Sequence, residues 1–189
     1  HHKSPTEMVH DRKKEVAKIL SKYLIKKNHY EDFWEKLDIN YFMRFDAIEI
    51  AWQIRLLMAH TESEKPIVRV HHHRGSFIEV LIYTKNRPSL FEKITNFFYE
   101  NQLDILEAKI YTTKHDYALD IFHIMDDGNI NESYDQFFKQ LEQDLTNIIS
   151  RKLERKKLSL QKTRQAEHHN IQTTIDNKII NKTQFELEI

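Results

Sequence analysis

The fold is decided by residues 83–113, which read YTKNRPSLFEKITNFFYENQLDILEAKIYTT. An apolar strand pattern ends before Asn86, a helical pattern begins near Pro88, and a second strand pattern begins near Leu103. This order of strand, helix and strand predicts part of a domain in which helices pack on a sheet. The loop of residues 86–89 could either bind a ligand or only turn the chain.

Composition places the chain among globular proteins. Of its 189 residues, 40% are hydrophobic and 11% aromatic, enough to bury the core of one domain with an appendage. Lys and Arg together number 29, as do Asp and Glu, so no overall charge favours nucleic acid. The absence of cysteine excludes disulfides and thiolate chemistry, and the two glycines exclude glycine-rich phosphate loops. No apolar run reaches the roughly 18 residues of a membrane-spanning helix. The lack of cysteine fits the cytoplasm, where we expect the protein.

Helical spacing dominates the first 60 residues. Residues 6–27 place apolar side chains from Met8 to Leu24 three and four positions apart, which predicts an amphipathic helix. Residues 29–37 and 46–60 repeat the pattern. Asp46 and Glu49 predict a capping box at the start of the third helix.

The apolar period changes to two after residue 66. Strands are predicted from residue 67, over residues 77–84, and over residues 103–113 and 117–125, with a turn at Arg74 and Gly75. Pro88 is expected at the first position of a helix, and a second helix is predicted over residues 134–153. Residues 171–175 and 183–189 are strand-like. From residue 77 this order predicts an α+β, ferredoxin-like βαββαβ domain with an antiparallel sheet.

One strand is apolar on both faces. Ile78, Val80 and Ile82 form one face, and the other still carries Leu81 and Tyr83. So much apolar surface is not expected to stay in water. The N-terminal helices, a second copy of the sheet or a partner chain could each cover it.

Several polar motifs resemble parts of catalytic sites. Gly75-Ser76 resembles the start of a nucleotidyltransferase motif, but the strand after it offers only Glu79 instead of a pair of aspartates for magnesium. The doublets His115-Asp116 and His10-Asp11 lack further ligands nearby in the sequence. We interpret the first doublet as a polar turn and the second as part of a helix surface.

Histidines and basic residues raise the possibilities of a metal site and of a nucleic-acid surface. His71 and His73 share one face of a strand and could both reach one metal ion, but a third ligand would have to come from elsewhere. We therefore predict an exposed or paired strand without metal, and interpret His168-His169 as part of a polar linker. Residues 151–164 carry seven positive side chains but no aromatic residue. This run predicts a solvated helix end and linker, with no nucleic-acid surface.

The run IEVLIYTKNRPSLFEKITNFFYENQLDILEAKIYTTKHDYALDIFHIMD, residues 78–126, resembles an ACT domain, a small regulatory module that often binds amino acids. More narrowly, it is similar to the first of two ACT domains in bifunctional PII uridylyltransferase/uridylyl-removing enzymes, the nitrogen sensors of bacteria. Residues 37–60 are similar to the helical segment before that domain. The stretches DAIEIAW, residues 46–52, and YALD, residues 117–120, carry the narrower resemblance.

The resemblance implies three parts. Residues 1–63 would join an upstream hydrolase domain, residues 66–177 would form the first ACT domain with a linker helix at about 150–165, and residues 182–189 would open the second ACT domain. Such a segment lacks the nucleotidyltransferase and hydrolase domains, so we expect no catalytic residue and no cofactor in it. Magnesium is expected in the whole enzyme. The implied partners are glutamine as effector, the PII protein, the catalytic domains and the second ACT domain, without nucleic acid or membrane.

The loop after the first strand is where the resemblance implies an effector site. ACT domains generally carry an Asp-x-Pro-Gly-like loop there, whose backbone N–H groups can hold an amino-acid carboxylate. This chain has Asn and Ser in place of Asp and Gly. The implied ligand-binding residues are Asn86, Arg87, Ser89 and Leu90, with Asp104 and Ile105 on the other side. The alternative is a helix-starting turn in a packing domain.

Three other classes of protein share part of this pattern. An RNA-recognition module shares the order of strands and helices, but residues 117–124, YALDIFHI, lack its basic residues. An ACT domain of a different enzyme would not explain the helical segment. A pure oligomerisation module would explain the apolar second face of the sheet.

Overall fold

The structure is a computed structural model that describes residues 1–73 and 76–151. The predicted turn at Arg74 and Gly75, the linker helix beyond residue 151, His168-His169 and the strands at 171–175 and 183–189 lie outside the described residues. The chain divides into two compact units. Among the described residues, the first unit consists of His1–Glu64 with Tyr111–Tyr117, and the second of those in the range Lys65–Ile110 with those from Ala118 to Arg151.

The first unit contains four helices, of which the helical spacing of the sequence predicts three. They are α1 (Pro5–Lys22), α2 (Lys27–Glu35), α3 (Ile39–Arg44) and α4 (Ala47–Leu57). The predicted capping box is confirmed at α4, where the Asp46 N–H donates to Glu49 and the Glu49 N–H donates to Asp46, both over 2.8 Å. Helix α3 was not predicted, because six residues are too few to show a helical period.

Leu24 does not lie on the apolar face of α1, contrary to the sequence prediction. The helix ends at Lys22, and Leu24 follows with a φ of 60° and 85% of its surface exposed. The Ile25 N–H donates to the Leu20 carbonyl and the Leu24 N–H to the Ser21 carbonyl. This is the bonding of a Schellman motif, whose left-handed residue is usually glycine.

Aromatic side chains form much of the core of the first unit. Tyr41 is fully buried, and its ring lies 5.0 Å from Phe45 and 5.2 Å from Tyr111. The Asp38 N–H donates to the Tyr111 hydroxyl over 3.0 Å, and the Lys114 N–H donates to the Lys36 carbonyl over 2.8 Å. These bonds attach the segment Tyr111–Tyr117 to the helices of its own unit.

The described part of the second unit forms an antiparallel four-stranded sheet with two helices, so the predicted α+β fold is confirmed. Its elements are β1 (Ile67–His73), β2 (Phe77–Lys85), α5 (Leu90–Glu100), β3 (Ile105–Thr112), β4 (Tyr117–Ile124) and α6 (Tyr134–Ser150), with strand order β1-β2-β4-β3. The predicted hairpin of β1 and β2 is confirmed, and its register pairs His71 with Glu79 and His73 with Phe77.

The two faces of the sheet carry different side chains. One face packs with α5 and α6 in a core that includes Val80, Ile82, Phe98, Phe122, Leu145 and Ile149. On the other face Leu81, Tyr83, Leu119 and Ile121 are at most 2% exposed. The expectation that this second apolar face does not stay in water is therefore confirmed. Among the described residues, no helix combines the length and the hydropathy needed to cross a membrane.

Candidate functional site

The turn between β2 and α5 has a left-handed residue before the helix. Ser89 has φ 64° and ψ 14°, and the Leu90 N–H donates to the Arg87 carbonyl over 3.3 Å. With Pro88 in the second position, these values describe a type II turn. Helix α5 therefore begins at Leu90, and the prediction that Pro88 is its first residue is wrong by two positions, because a left-handed Ser89 cannot lie within the helix.

The turn is exposed and leaves the start of α5 without a side-chain cap. Asn86, Arg87 and Ser89 are exposed, whereas Leu90 is buried, and the N-cap residue Ser89 makes no side-chain capping hydrogen bond to the helix. Uncapped N–H groups at a helix start attract anions. Arg87 Nη1 donates to the Ile149 carbonyl over 3.2 Å, which connects the turn to the last residues of α6.

Asp104 and Ile105 lie at the opposite end of the sheet from this turn. The Met125 N–H donates to the Asp104 carbonyl over 2.9 Å, so the start of β3 lies beside the end of β4. The end of β4 in turn lies beside the start of β2, since the rings of His123 and Phe77 are 4.2 Å apart. Because the nine residues of β2 span about 30 Å, the structure does not bring the six predicted residues together.

Asp104 instead lines a polar cleft with a volume of about 440 Å³. The cleft lies between the start of β3 and the segment that joins β4 to α6. Its polar lining includes Asp104, Asp126, Asp127, Asn129, Asn131 and Glu132. The carboxylates make this cleft unsuitable for an anionic ligand.

The two histidine–aspartate doublets have structural surroundings. His115 Nδ1 lies 2.7 Å from Thr113 Oγ1, its Nε2 lies 3.0 Å from the Thr61 carbonyl, and Asp116 has a φ of 63°. These contacts hold a tight turn between β3 and β4, as predicted. His10 is exposed on α1, in keeping with the prediction of a helix surface.

A cluster of histidines and carboxylates lies on the second face of the sheet, at the start of β2. His73 Nδ1 lies 3.2 Å and His123 Nε2 lies 2.9 Å from the same oxygen, Oε1 of Glu79. The other oxygen, Oε2, lies 2.7 Å from His71 Nε2. His123 Nδ1 lies 3.0 Å from Oε2 of Glu107, on β3.

The electrostatics of the cluster follow from these contacts. Burial raises the pKa of Glu79, but hydrogen bonds to His123 and His71 outweigh burial and lower this pKa from 4.5 to about 2. Burial lowers the pKa of His123, but hydrogen bonds to Glu107 and Glu79 raise it from 6.5 to about 9. At neutral pH the protonated His123 therefore places a positive charge between two carboxylates.

Sequence reasoning found only part of this cluster. It placed His71 and His73 on one face but could not name a further ligand, and it considered Glu79 only for a motif to which it does not belong. Glu79 and His123 are 44 residues apart in the chain. The period-two pattern of β2 and β4 indicates which face each residue occupies, but the order of the strands in the sheet is needed to make them neighbours.

Comparisons with known proteins agree on one family. Residues 4–56 match the family model described as the fifth domain of uridylyltransferase GlnD. Over 112 residues the chain is 38% identical to the bifunctional uridylyltransferase/uridylyl-removing enzyme of Burkholderia lata, which covers 59% of this chain and 13% of that protein. Over 126 residues it is 37% identical to the enzyme of the same name from Ralstonia nicotianae, which covers 66% of this chain and 15% of that protein.

These relatives are much longer proteins, and the chain spans less than a fifth of their length. No solved structure matches the chain significantly. The family model covers the helices of the first unit, and the pairwise similarity extends over more than half of the chain. The chain is thus similar, over more than half of its residues, to a small part of the bifunctional uridylyltransferase/uridylyl-removing enzymes.

Proposed function

We propose that this chain is a regulatory segment of a cytoplasmic enzyme that uridylylates and deuridylylates the PII protein, and that it senses glutamine or relays glutamine binding to catalytic domains. The observation that carries the proposal is the similarity to enzymes whose name states both activities. The ACT-like order of strands and helices in the second unit supports a regulatory role.

Catalysis, with the magnesium that it requires, is assigned to other parts of the longer enzyme. Within residues 1–73 and 76–151, the one group of three clustered metal-ligating side chains is His73, Glu79 and His123. Neither histidine–aspartate doublet belongs to it. A nucleotidyltransferase would need paired aspartates to hold magnesium at the transferred phosphate.

The turn before α5 is the site proposed for the effector. Glutamine has an α-carboxylate, which suits the N–H groups at the start of α5, where the N-cap residue Ser89 provides no side-chain cap. Asn86, Arg87, Ser89 and Leu90 would surround it, whereas Asp104 and Ile105 lie too far away to contact the same molecule within one chain. A carboxylate that engaged Arg87 would compete with the Ile149 carbonyl for its guanidinium. Binding would then be coupled to the end of α6, provided that glutamine prefers one packing state.

One observation favours a second candidate function, an ACT-type packing or oligomerisation module without ligand. The turn has asparagine and serine where the ACT-like pattern has aspartate and glycine. The serine side chain occupies a position where close approach to the backbone favours glycine. A module of this kind would act through its surfaces, so its mass in solution would depend on concentration.

Isothermal titration with glutamine, with glutamate as the control ligand, tests both candidates. We expect saturable heat with glutamine that disappears in Asn86→Ala and persists in Asn131→Ala, a matched change in the polar cleft. Heat lost only in Asn131→Ala would move the site to the cleft. Absence of heat, together with a concentration-dependent mass by light scattering, would replace sensing by the packing role.

A further inference from the structure

We propose that His73, Glu79 and His123 form a binding site for a divalent first-row transition-metal ion, such as Zn²⁺. One ligand atom of each residue lies within 4.8 Å of the other two. The distances of 3.2 and 2.9 Å from the histidine nitrogens to Glu79 Oε1 are close to the spacing of about 3.3 Å between neighbouring ligand atoms around tetrahedral zinc. Small shifts of the side chains would therefore admit the ion.

The chemistry of the three ligands narrows the class of ion. Two imidazoles with one carboxylate suit zinc and the other late first-row ions, whereas calcium and magnesium prefer oxygen ligands alone. The carboxylates of Glu79 and Glu107 lie 2.9 and 3.0 Å from the two ring nitrogens of His123, so both acidic groups face the proposed site. Carboxylates placed in this way would offset the charge of a divalent ion.

The sheet brings the ligands together from three neighbouring strands. His73 lies on β1 and Glu79 on β2, in a hairpin whose register pairs His73 with Phe77 and His71 with Glu79. His123 lies on β4, the other neighbour of β2. Side chains from paired strands are positioned by the hydrogen bonds of the sheet, so the ligands are held by rigid elements.

Two hydrogen bonds outside the site orient its ligands. Glu107 Oε2 lies 3.0 Å from Nδ1 of His123, which leaves Nε2 directed at Glu79. His71 Nε2 lies 2.7 Å from Oε2 of Glu79, which leaves Oε1 directed at the two other ligands. A carboxylate behind a metal-binding histidine fixes its ring and raises its basicity.

The proposed site has an apolar wall on one side and limited access to solvent. The ring of Phe77 stacks on His73 at 4.9 Å and lies 4.2 Å from His123. The side chains of Glu79 and His123 are 5% and 8% exposed, and that of His73 is 17% exposed. An ion can thus enter beside His73, and a water molecule can complete its coordination.

The proposal is tested by isothermal titration of the full chain with Zn²⁺, in a background where His1, His2, His168 and His169 are alanine. We expect one ion per chain, and an affinity reduced by more than about tenfold in His73→Asn and in Glu79→Gln. His72→Asn is the matched control, because His72 lies beside His73 on β1 but on the opposite face of the sheet, where its Nε2 lies 3.0 Å from Asp126. Its affinity for Zn²⁺ should not change.

A structural readout accompanies the titration. Bound Co²⁺ should give the visible absorption of a four-coordinate ion in the background protein, and His73→Asn should remove it. Circular dichroism checks that each variant is folded, and the partly exposed His73 keeps the test decisive if Glu79→Gln does not fold. The proposal is overturned if no saturable site exists, or if His73→Asn binds Zn²⁺ as tightly as the background. Neither result bears on glutamine binding.

Discussion

Replacing His123 by phenylalanine removes the positive charge between two carboxylates and keeps a ring of similar size against Phe77, 4.2 Å away. The Glu79 side chain, 5% exposed, would then lose one of its three imidazole partners. Breaking a buried ion pair by removing one partner typically costs about 3–5 kcal/mol. Because His71 and His73 still contact Glu79, we expect the lower end of that range, about 3 kcal/mol.

The double variant Glu79→Leu/His123→Phe separates charge from packing. It removes both partners, and apolar replacement of a buried pair is often neutral within about 1 kcal/mol. The double variant should therefore be more stable than His123→Phe alone, with a coupling free energy of about 2 kcal/mol.

Urea unfolding followed by circular dichroism, with a chelator present, gives these free energies by linear extrapolation. The matched control is His10→Phe, an exposed histidine of α1, which should change stability by less than about 0.5 kcal/mol. The reasoning is refuted if His123→Phe unfolds within about 1 kcal/mol of the parent, or if the double variant is as unstable as the sum of its two single variants.

Three further results are expected. Leu24→Gly should raise the free energy of unfolding by up to about 1 kcal/mol in urea, because Leu24 has a left-handed backbone and an exposed side chain. Phe98→Ala should lower it by about 3–5 kcal/mol, since Phe98 is fully buried against Phe122 at 5.3 Å, and calorimetry should show the fall in Tm. Burial, with the charge of the Asp38 carboxylate, raises the pKa of the Tyr111 hydroxyl from 10.0 to about 12 against the opposing hydrogen bond from the Asp38 N–H, so its contribution to stability is complete below pH 10 and is lost between pH 10 and 12. The free energy of unfolding, measured across this pH range, should decline less steeply in Tyr111→Phe than in the parent.

Each of these results has a control and a contrary outcome. Leu24→Ala keeps the left-handed strain, and equal stability of the alanine and glycine variants would contradict the assignment of strain. Tyr99→Ala changes the exposed aromatic residue next to Phe98, and an equal loss there would show that burial does not set the cost. For Tyr111, if the free energy of unfolding fell equally steeply with rising pH in the parent and in the phenylalanine variant, the pKa of Tyr111 would not be raised by folding.

Much of the fold could be predicted because its signals are local. The capping box of Asp46 and Glu49 involves residues three positions apart, and the change of period after residue 66 separates helices from strands. Positive φ angles at Leu24 and Ser89 could not be predicted from those signals. Both residue types normally avoid that conformation, and the surrounding chain imposes it.

The sequence by itself determined most of the helices and strands, the apolar faces of the strands, and the similarity to bifunctional uridylyltransferase/uridylyl-removing enzymes. The tertiary structure decided which distant residues meet: Glu79 and His123 join His73 because β4 lies beside β2, and Asp104 lies at the end of the sheet opposite Asn86. The physical reason is that the interactions that set local structure act over short stretches of sequence, whereas those that set strand order do not. Backbone geometry and side-chain spacing act over a few residues, whereas the order of strands depends on how the whole apolar core is buried.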